Sequence, residues 1–248
     1  SEMIGSGMGG ILVSLPFGYG VLRRIGKRFA QTFTLVLVQI WMIGATHAAM
    51  AESVRIAALG DSLTQGYGLM QQDGFTAQLQ GWLAAHHVGA TIINAGVSGD
   101  TTAGGLSRVD WTLTPDINAM IVALGGNDLL RGLSPDLSRA NLKGILEVAQ
   151  AKNVPVLLVG MQAPGNYGAE YKAHFDAIYP DLAEAYDTLY FDGFLKPLTD
   201  LGLWEQILKT HMQADGVHPN AMGVSVIVEA MGPTVEALVN RANDTPVE

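Results

Sequence analysis

The sequence predicts an α/β fold, a three-layer α/β/α sandwich built on a five-stranded parallel sheet in the order 2-1-3-4-5. Three observations lead there. From Val54 onward, apolar β-rich runs alternate with segments whose apolar residues recur at helical spacing, the pattern of βαβ units. One run, Val154 to Val159, is nearly all apolar, as in a strand buried on both faces. Several runs end in clusters of glycine and small polar residues, and ligands of open α/β sheets bind outside the carboxyl ends of the strands.

Taken in order, Val54 to Leu59 is the first strand. It breaks at Gly60 into Asp61-Ser62, a tight turn with a hydroxyl at its tip. Phe75 to His87 reads as a helix with Phe75, Leu79, Trp82 and Leu83 on one face. Thr91 to Ile93 is a second, short strand and Met120 to Leu124 a third. Leu137 to Lys152 is a helix with Leu142, Ile145, Leu146 and Ala149 inward. Val154 to Val159 is the fourth strand. Glu170 to Tyr186 is helical, kinked or divided by Pro180. Leu189 to Phe191 is a short fifth strand, and Ala221 to Asn240 a closing helix with an interruption expected at Pro233. No internal repeat or linker follows residue 52, so residues 52–248 read as a single domain.

The start of the chain reads differently. A basic cluster, Arg23, Arg24, Lys27 and Arg28, precedes 16 uncharged and mostly apolar residues, Ala30 to Ala45. The small-x-small pattern Ala49-Met50-Ala51 follows. This order describes a secretory signal peptide with cleavage after Ala51. A buried core helix and an uncleaved anchor are the rival readings, although 16 residues is short for a span that needs about 20. Residues 1–51 are therefore set apart as a leader, and the remainder is expected to be periplasmic or secreted. Removing the leader takes away four of 14 basic residues and one of 23 acidic ones, leaving ten against 22, a net charge of −12. Such a charge argues against nucleic acid or an anionic membrane as a main partner. The chain has no cysteine, which excludes disulfides, thiolate metal sites and cysteine nucleophiles.

The chemistry gathers at the strand ends: Gly60-Asp61-Ser62, then Asn94 to Asp100, then Gly125-Gly126-Asn127-Asp128. Near the C-terminus lies Asp215-Gly216-Val217-His218-Pro219. Pro219 disfavours helix at His218, and in such a loop the carboxylate and the imidazole three residues on can point the same way. The same residues also fit a helix-capping Asp beside a surface His. Together the clusters form a serine-hydrolase set. Ser62 would be the nucleophile, His218 the general base and acid, and Asp215 its orienting partner. The Ser62 N–H, the Gly99 N–H and the Asn127 carboxamide are candidate oxyanion donors. The G-x-S-x-G elbow of α/β-hydrolases is absent; Gly96-Val97-Ser98-Gly99-Asp100 comes nearest and lacks the last glycine.

These residues resemble the blocks of the SGNH (GDSL-type) hydrolase family. Gly60-Asp61-Ser62-Leu63 is similar to its first block, Gly99 to its second, Gly125 to Asp128 to its third and Asp215 to Pro219 to its fifth. The resemblance implies a flavodoxin-like sandwich without metal or cofactor. It assigns Ser62 as nucleophile, Gly99 and Asn127 as oxyanion donors with the Ser62 N–H, and Asp215 and His218 as the proton relay. Gly160 to Tyr171, Phe175 to Pro180 and Leu195-Lys196-Pro197 further resemble the periplasmic thioesterase I/protease I/lysophospholipase subgroup and bacterial arylesterases. There the segment matching Pro164 to Gly168 is a mobile loop beside the acyl pocket. Pro164, Asn166 and Tyr167 are therefore expected to bind substrate. Asp61 and Asp128 join them as expected site residues, with a role in holding the turns of Ser62 and Asn127.

The expected activity is hydrolysis of carboxylic esters, aryl or short-to-medium acyl, with thioesters and lysophospholipids as further candidates. A small-molecule or lipid ester is the expected partner, with no stable membrane partner for the mature form and an oligomeric state left open. The rivals are a carbohydrate O-deacetylase using the same residues and a catalytically silent binding module. Leu201 to Gln213 matches no block. Gly5 to Gly10 fits G-x-G-x-x-G, but no strand precedes it, so it is no dinucleotide site.

Overall fold

Five short apolar runs build the sheet of this computed structural model, which describes residues 53–245. They are β1 (Val54–Gly60), β2 (Ala90–Gly96), β3 (Ala119–Ala123), β4 (Val156–Val159) and β5 (Leu189–Phe191). All pairings are parallel and the order is β2-β1-β3-β4-β5, as the sequence predicts. The leader and its cleavage site lie outside the described residues. β1, β3 and β4 are almost wholly buried, whereas β2 and β5 form the half-buried edges. Apolar runs without alternation therefore sit where both faces are covered.

The first half of the chain carries α1 (Ser62–Gln65), α2 (Phe75–Ala85), α3 (Thr102–Thr112), α4 (Gly126–Leu130) and α5 (Pro135–Ala151). The second half carries α6 (Ala169–Asp176), α7 (Ile178–Ala185), α8 (Lys196–Thr199), α9 (Trp204–Thr210) and α10 (Ala221–Asp244). α2, α8 and α10 pack together as one layer, and α3, α5 and α7 as the other. The starts are fixed by side-chain caps that satisfy otherwise orphaned N–H groups. The Thr101 side chain accepts from Gly104, Ser134 accepts from Asp136 with Pro135 next in line, and Asn220 accepts from Met222 and Gly223. Leu142, Ile145, Leu146 and Ala149 of α5 face the core as expected. Fully buried side chains such as Phe75, Leu79 and Ile145 each contribute roughly 1.5–3 kcal/mol of transfer free energy.

Two expectations are corrected, at Pro233 and after Gly60, and the division expected near Pro180 is found. α10 runs unbroken through Pro233. Pro233 is exposed, as is Glu229 one turn earlier, so water can serve the carbonyl that loses its helical partner. Buried Val224, Ile227, Val228, Met231, Val235, Leu238 and Val239 hold the helix on both sides of it. The segment Glu170 to Tyr186 is divided at Ala177, ahead of Pro180, which then lies in the first turn of α7, where a missing N–H costs nothing. The turn after Gly60 is not a bare turn but the helix α1. α3 and α9 were not legible as helices.

Register aligns the ends of the strands. Gly60 pairs with Gly96 on one side and Ala123 on the other. Three of the glycine-rich clusters therefore leave the sheet at one level, at its carboxyl edge.

Candidate active site

Ser62 owes its position to Asp61. The Asp61 carboxylate accepts the Leu63 N–H at 3.0 Å and caps α1, which makes Ser62 the first helical residue. At that position the backbone N–H has no partner within the helix and points outward. Close packing behind α1 depends on Gly96. A Cβ there would lie 2.4 Å from the Gln65 nitrogen and 2.9 Å from the Asp61 carbonyl oxygen.

His218 arrives from the other end of the chain. Met212 and Pro219 form an antiparallel bridge, and the Gln213 N–H donates to the His218 carbonyl at 2.8 Å. Within this loop Asp215 Oδ1 accepts the N–H groups of Val217 and His218 at 2.9 and 3.0 Å. Asp215 Oδ2 lies 2.7 Å from His218 Nδ1. A carboxylate only accepts, so Nδ1 carries the proton and Nε2 is left to accept from Ser62 Oγ, 2.8 Å away. Partial burial pushes the Asp215 carboxyl up, but the His218 backbone N–H, the His218 ring and the Val217 N–H outweigh it and hold it down at about 2. The arrangement can move a proton from Ser62 to His218 and stabilise the resulting imidazolium.

The other side of the cleft is made by the loops after β2 and β3. Asn127, in the first turn of α4, donates from Nδ2 to the Asp100 carbonyl at 3.0 Å and to Asp61 Oδ2 at 3.3 Å. Gly99 and Asn127 line the same cavity as Ser62 and His218. That cavity has a volume of about 830 Å³. Its far wall is apolar, with Leu129, Met161, Phe194, Leu195 and Trp204. Pro164, Asn166 and Tyr167 also line it. Asp61 lies at its floor, but both its oxygens are engaged within the protein. Burial pushes the Asp61 carboxyl up to about 6, against the lowering effect of the Leu63 N–H, the His218 charge and the Asn127 amide; Asp100 adds to the rise.

Asp128 is the expectation that the structure corrects. It is fully buried and does not line the cavity. Its carboxylate accepts the Thr102 N–H at 2.9 Å, the Thr102 hydroxyl at 2.6 Å and the Ser138 hydroxyl at 3.1 Å. Asn141 donates to the same Thr102 hydroxyl. Asp128 thus ties the start of α3 to α4 and α5 and cannot reach a substrate. Nor does it bond the backbone of its own turn, which Tyr179 secures by donating to the Leu124 carbonyl at 2.9 Å.

Several residues that build the site were not readable from the sequence. Arg108 donates from Nε to Asp100 Oδ2 at 2.7 Å, from Nη1 to the Ala95 carbonyl at 2.6 Å and from Nη2 to the Gly60 carbonyl at 2.8 Å. Gln213 donates from Nε2 to the carbonyls of Tyr67 and Pro219 at 2.8 and 3.0 Å, which joins the loop after Ser62 to the loop of His218. The Tyr67 ring lies against His218 with centroids 4.8 Å apart. Among the described residues no group of three or more His, Asp or Glu is placed to hold a metal ion.

Sheet order, strand-end clusters and apolar cleft define a hydrolase of the α/β-sandwich class. Residues 58–225 match the GDSL-like lipase/acylhydrolase family. The chain belongs to this family and is a hydrolase acting on ester bonds. It is 36% identical over 196 residues to thioesterase 1/protease 1/lysophospholipase L1 of Escherichia coli K12, covering 78% of this chain and 88% of that protein. It is 35% identical over 195 residues to esterase TesA of Pseudomonas aeruginosa, covering 78% and 92%. Among solved structures it is similar to AlinE4, an SGNH-hydrolase family esterase, with 47% identity and a TM-score of 0.62 over 80% of this chain and all (100%) of that one.

Proposed function

We propose that the protein is a serine esterase that cleaves carboxylic esters through an acyl-enzyme on Ser62. One observation carries the reading: Ser62 Oγ sits 2.8 Å from His218 Nε2 at the mouth of a cavity with an apolar wall. Ser62 Oγ attacks the acyl carbonyl while Nε2 takes its proton. The carbonyl oxygen becomes an oxyanion facing the N–H groups of Ser62 and Gly99 and the Asn127 amide. Collapse breaks the bond to the alcohol, which leaves with the proton from His218. A water then gives its proton to His218 and attacks the acyl-enzyme, releasing the acid and restoring Ser62.

The cavity volume of about 830 Å³ lies within the usual range for small-ligand sites. Its apolar wall supports aryl or short-to-medium acyl groups over an acetylated sugar. Thioesters and lysophospholipids are included on the strength of the Escherichia coli relative's name. Residues 1–51 are proposed to direct export with cleavage after Ala51, and intact mass of the exported protein checks this.

Ser62→Ala is expected to fold with an unchanged melting temperature and to lose at least about 10⁴-fold in kcat on p-nitrophenyl esters. Full retained activity sinks the assignment. A series of p-nitrophenyl esters and acyl-thioesters of increasing length should show kcat/KM rising beyond acetyl; a maximum at acetyl points to the deacetylase instead.

A further inference from the structure

Twelve large apolar side chains are exposed among the described residues. Trp111 and Leu137 lie on α3 and α5, and the other ten on the loops and helix ends around the Ser62 cleft. Five of them, Tyr67, Leu130, Tyr167, Trp204 and Val217, line the cavity and are still 39–64% exposed. Each comes from a different segment of the chain, so together they ring the opening. Apolar residues scattered singly over a surface need no explanation, whereas a gathered set marks a place of contact.

The stretch that matched no sequence block makes the case most directly. Every residue from Leu201 to Gln206 is exposed. Leu203 is 71% exposed and occupies the cap position of α9, with no side-chain bond to the helix. Serine, threonine, asparagine and aspartate are preferred there because they satisfy an orphaned N–H, and leucine is among the poorest choices. Local stability is given up for an apolar side chain in water, and such departures from local rules fall at working surfaces.

We propose that this rim docks the protein reversibly on a zwitterionic phospholipid surface, with the Ser62 cavity opening onto it. The inference rests on the esterase reading for the direction of traffic. A lipid surface supplies acyl esters through the opening, whereas a protein or a second copy seated on the ring would seal it. Three of the five ring residues are tyrosine or tryptophan, side chains that settle at the membrane–water interface. The charges suit a neutral surface. Both lysines that line the cavity are paired, Lys172 with Asp176 at 2.6 Å and Lys196 with Asp200 at 2.8 Å. Outside the leader, ten basic residues face 22 acidic ones, a balance that repels an anionic surface.

The test is flotation of the exported protein with vesicles of diether phosphatidylcholine, a lipid without a cleavable ester, so binding is read apart from turnover. Wild type is compared with Leu201→Ser/Leu203→Ser, two positions outside the cavity lining. Each leucine that enters the interface contributes about tenfold in partitioning, so the double variant should bind about 10²-fold more weakly. Its melting temperature should equal or exceed that of wild type, because serine caps α9. Its kcat/KM on dissolved p-nitrophenyl acetate should stay within about twofold. A wild type that does not float, a variant that floats equally, or capture by anionic vesicles alone overturns the proposal. So does a wild-type dimer that the substitutions split, which assigns the rim to a second copy.

A second measurement holds whether or not the leader is retained. The chain has no cysteine, so an environment-sensitive fluorophore can be placed at Leu203→Cys or, on α3, at Trp111→Cys. Vesicles should shift the emission of the first to the blue and leave the second unchanged; equal responses overturn the proposal. None of these outcomes bears on Ser62, whose role the Ser62→Ala kinetics decide separately.

Discussion

Replacing Arg108 by Met should damage stability and rate together. The change keeps most of the apolar stem and removes the guanidinium. Three bonds are lost, to Asp100 Oδ2 at 2.7 Å and to the carbonyls of Ala95 and Gly60 at 2.6 and 2.8 Å. Both partners of the ion pair have side chains only 14% exposed. Removing one half of a pair buried to that degree leaves the other uncompensated, at a cost of roughly 3–5 kcal/mol. A domain of this size loses about 2–4 °C of melting temperature per kcal/mol, so Tm should fall by about 10 °C. The rate should fall too, well below the melt. Gly60 leads into Ser62, and the Asp100 carbonyl holds the Asn127 amide. Displacements of about 1 Å in such groups cost up to 10²-fold. The assay is a circular-dichroism melt beside p-nitrophenyl ester kinetics at 20 °C, with kcat expected down about 10–100-fold. A Tm within about 2 °C of wild type refutes the energetic argument. An unchanged kcat with the expected loss of Tm shows instead that the clamp stabilises without positioning.

Gly96→Ala should cost roughly 1–3 kcal/mol in urea titrations and most of the activity, because the new Cβ meets backbone atoms of Gln65 and Asp61. Gly89→Ala, with open space around it, is the matched control and should be silent in both. Gln213→Leu should lower kcat about tenfold with little change in Tm, since it unties Tyr67 and Pro219 at a half-exposed site; an unchanged kcat means the two loops hold themselves. Stability should also depend on Asp61 across mildly acid pH. Its carboxyl rises from 3.8 to about 6 on folding, so the folded state binds the extra proton, and stability should fall by about 3 kcal/mol as pH rises from about 4 to 6. Asp215, held down at about 2, works in the opposite sense and below that window. Denaturation of the wild type and Asp61→Asn across pH 4–7 should show the decline only in the former, and a constant difference contradicts the argument.

The strands were the most legible part of the fold. β3 and β4 are buried on both faces and read as apolar runs, and β5 falls on the expected residues. α3 was hidden by its own packing. Gly105 lies so close to the sheet that a Cβ would meet Leu124 at 2.2 Å, and a helix that needs glycine there carries a weak helical signature. α10 was expected to break at Pro233 because a proline inside a helical pattern reads as an interruption until its exposure is known. In the site, Ser62, Asp215 and His218 were readable because their side chains meet one another. Arg108 and Gln213 mostly grip backbone carbonyls of residues distant in sequence, and a carbonyl leaves no trace in the residue type. Asp128 shows the converse error. Its place beside Asn127 suggested a role at the cleft, whereas helical geometry turned it inward, onto Thr102 and Ser138.

The 156 residues that separate Ser62 from His218 also govern when the enzyme can exist. Ser62 follows the first strand, and His218, its proposed base, lies on the loop between α9 and α10. Every parallel crossover must be in place before the two atoms come within 2.8 Å. Non-local pairing of this kind is slow to form, and a growing chain can complete it only once the loop of His218 has been made. On the proposed mechanism, a nascent or half-folded chain would carry Ser62 without His218 beside it and would be silent toward esters. Hydrolytic activity reports on the last step of folding, and an ester probe added during refolding would time the docking of the C-terminal helix.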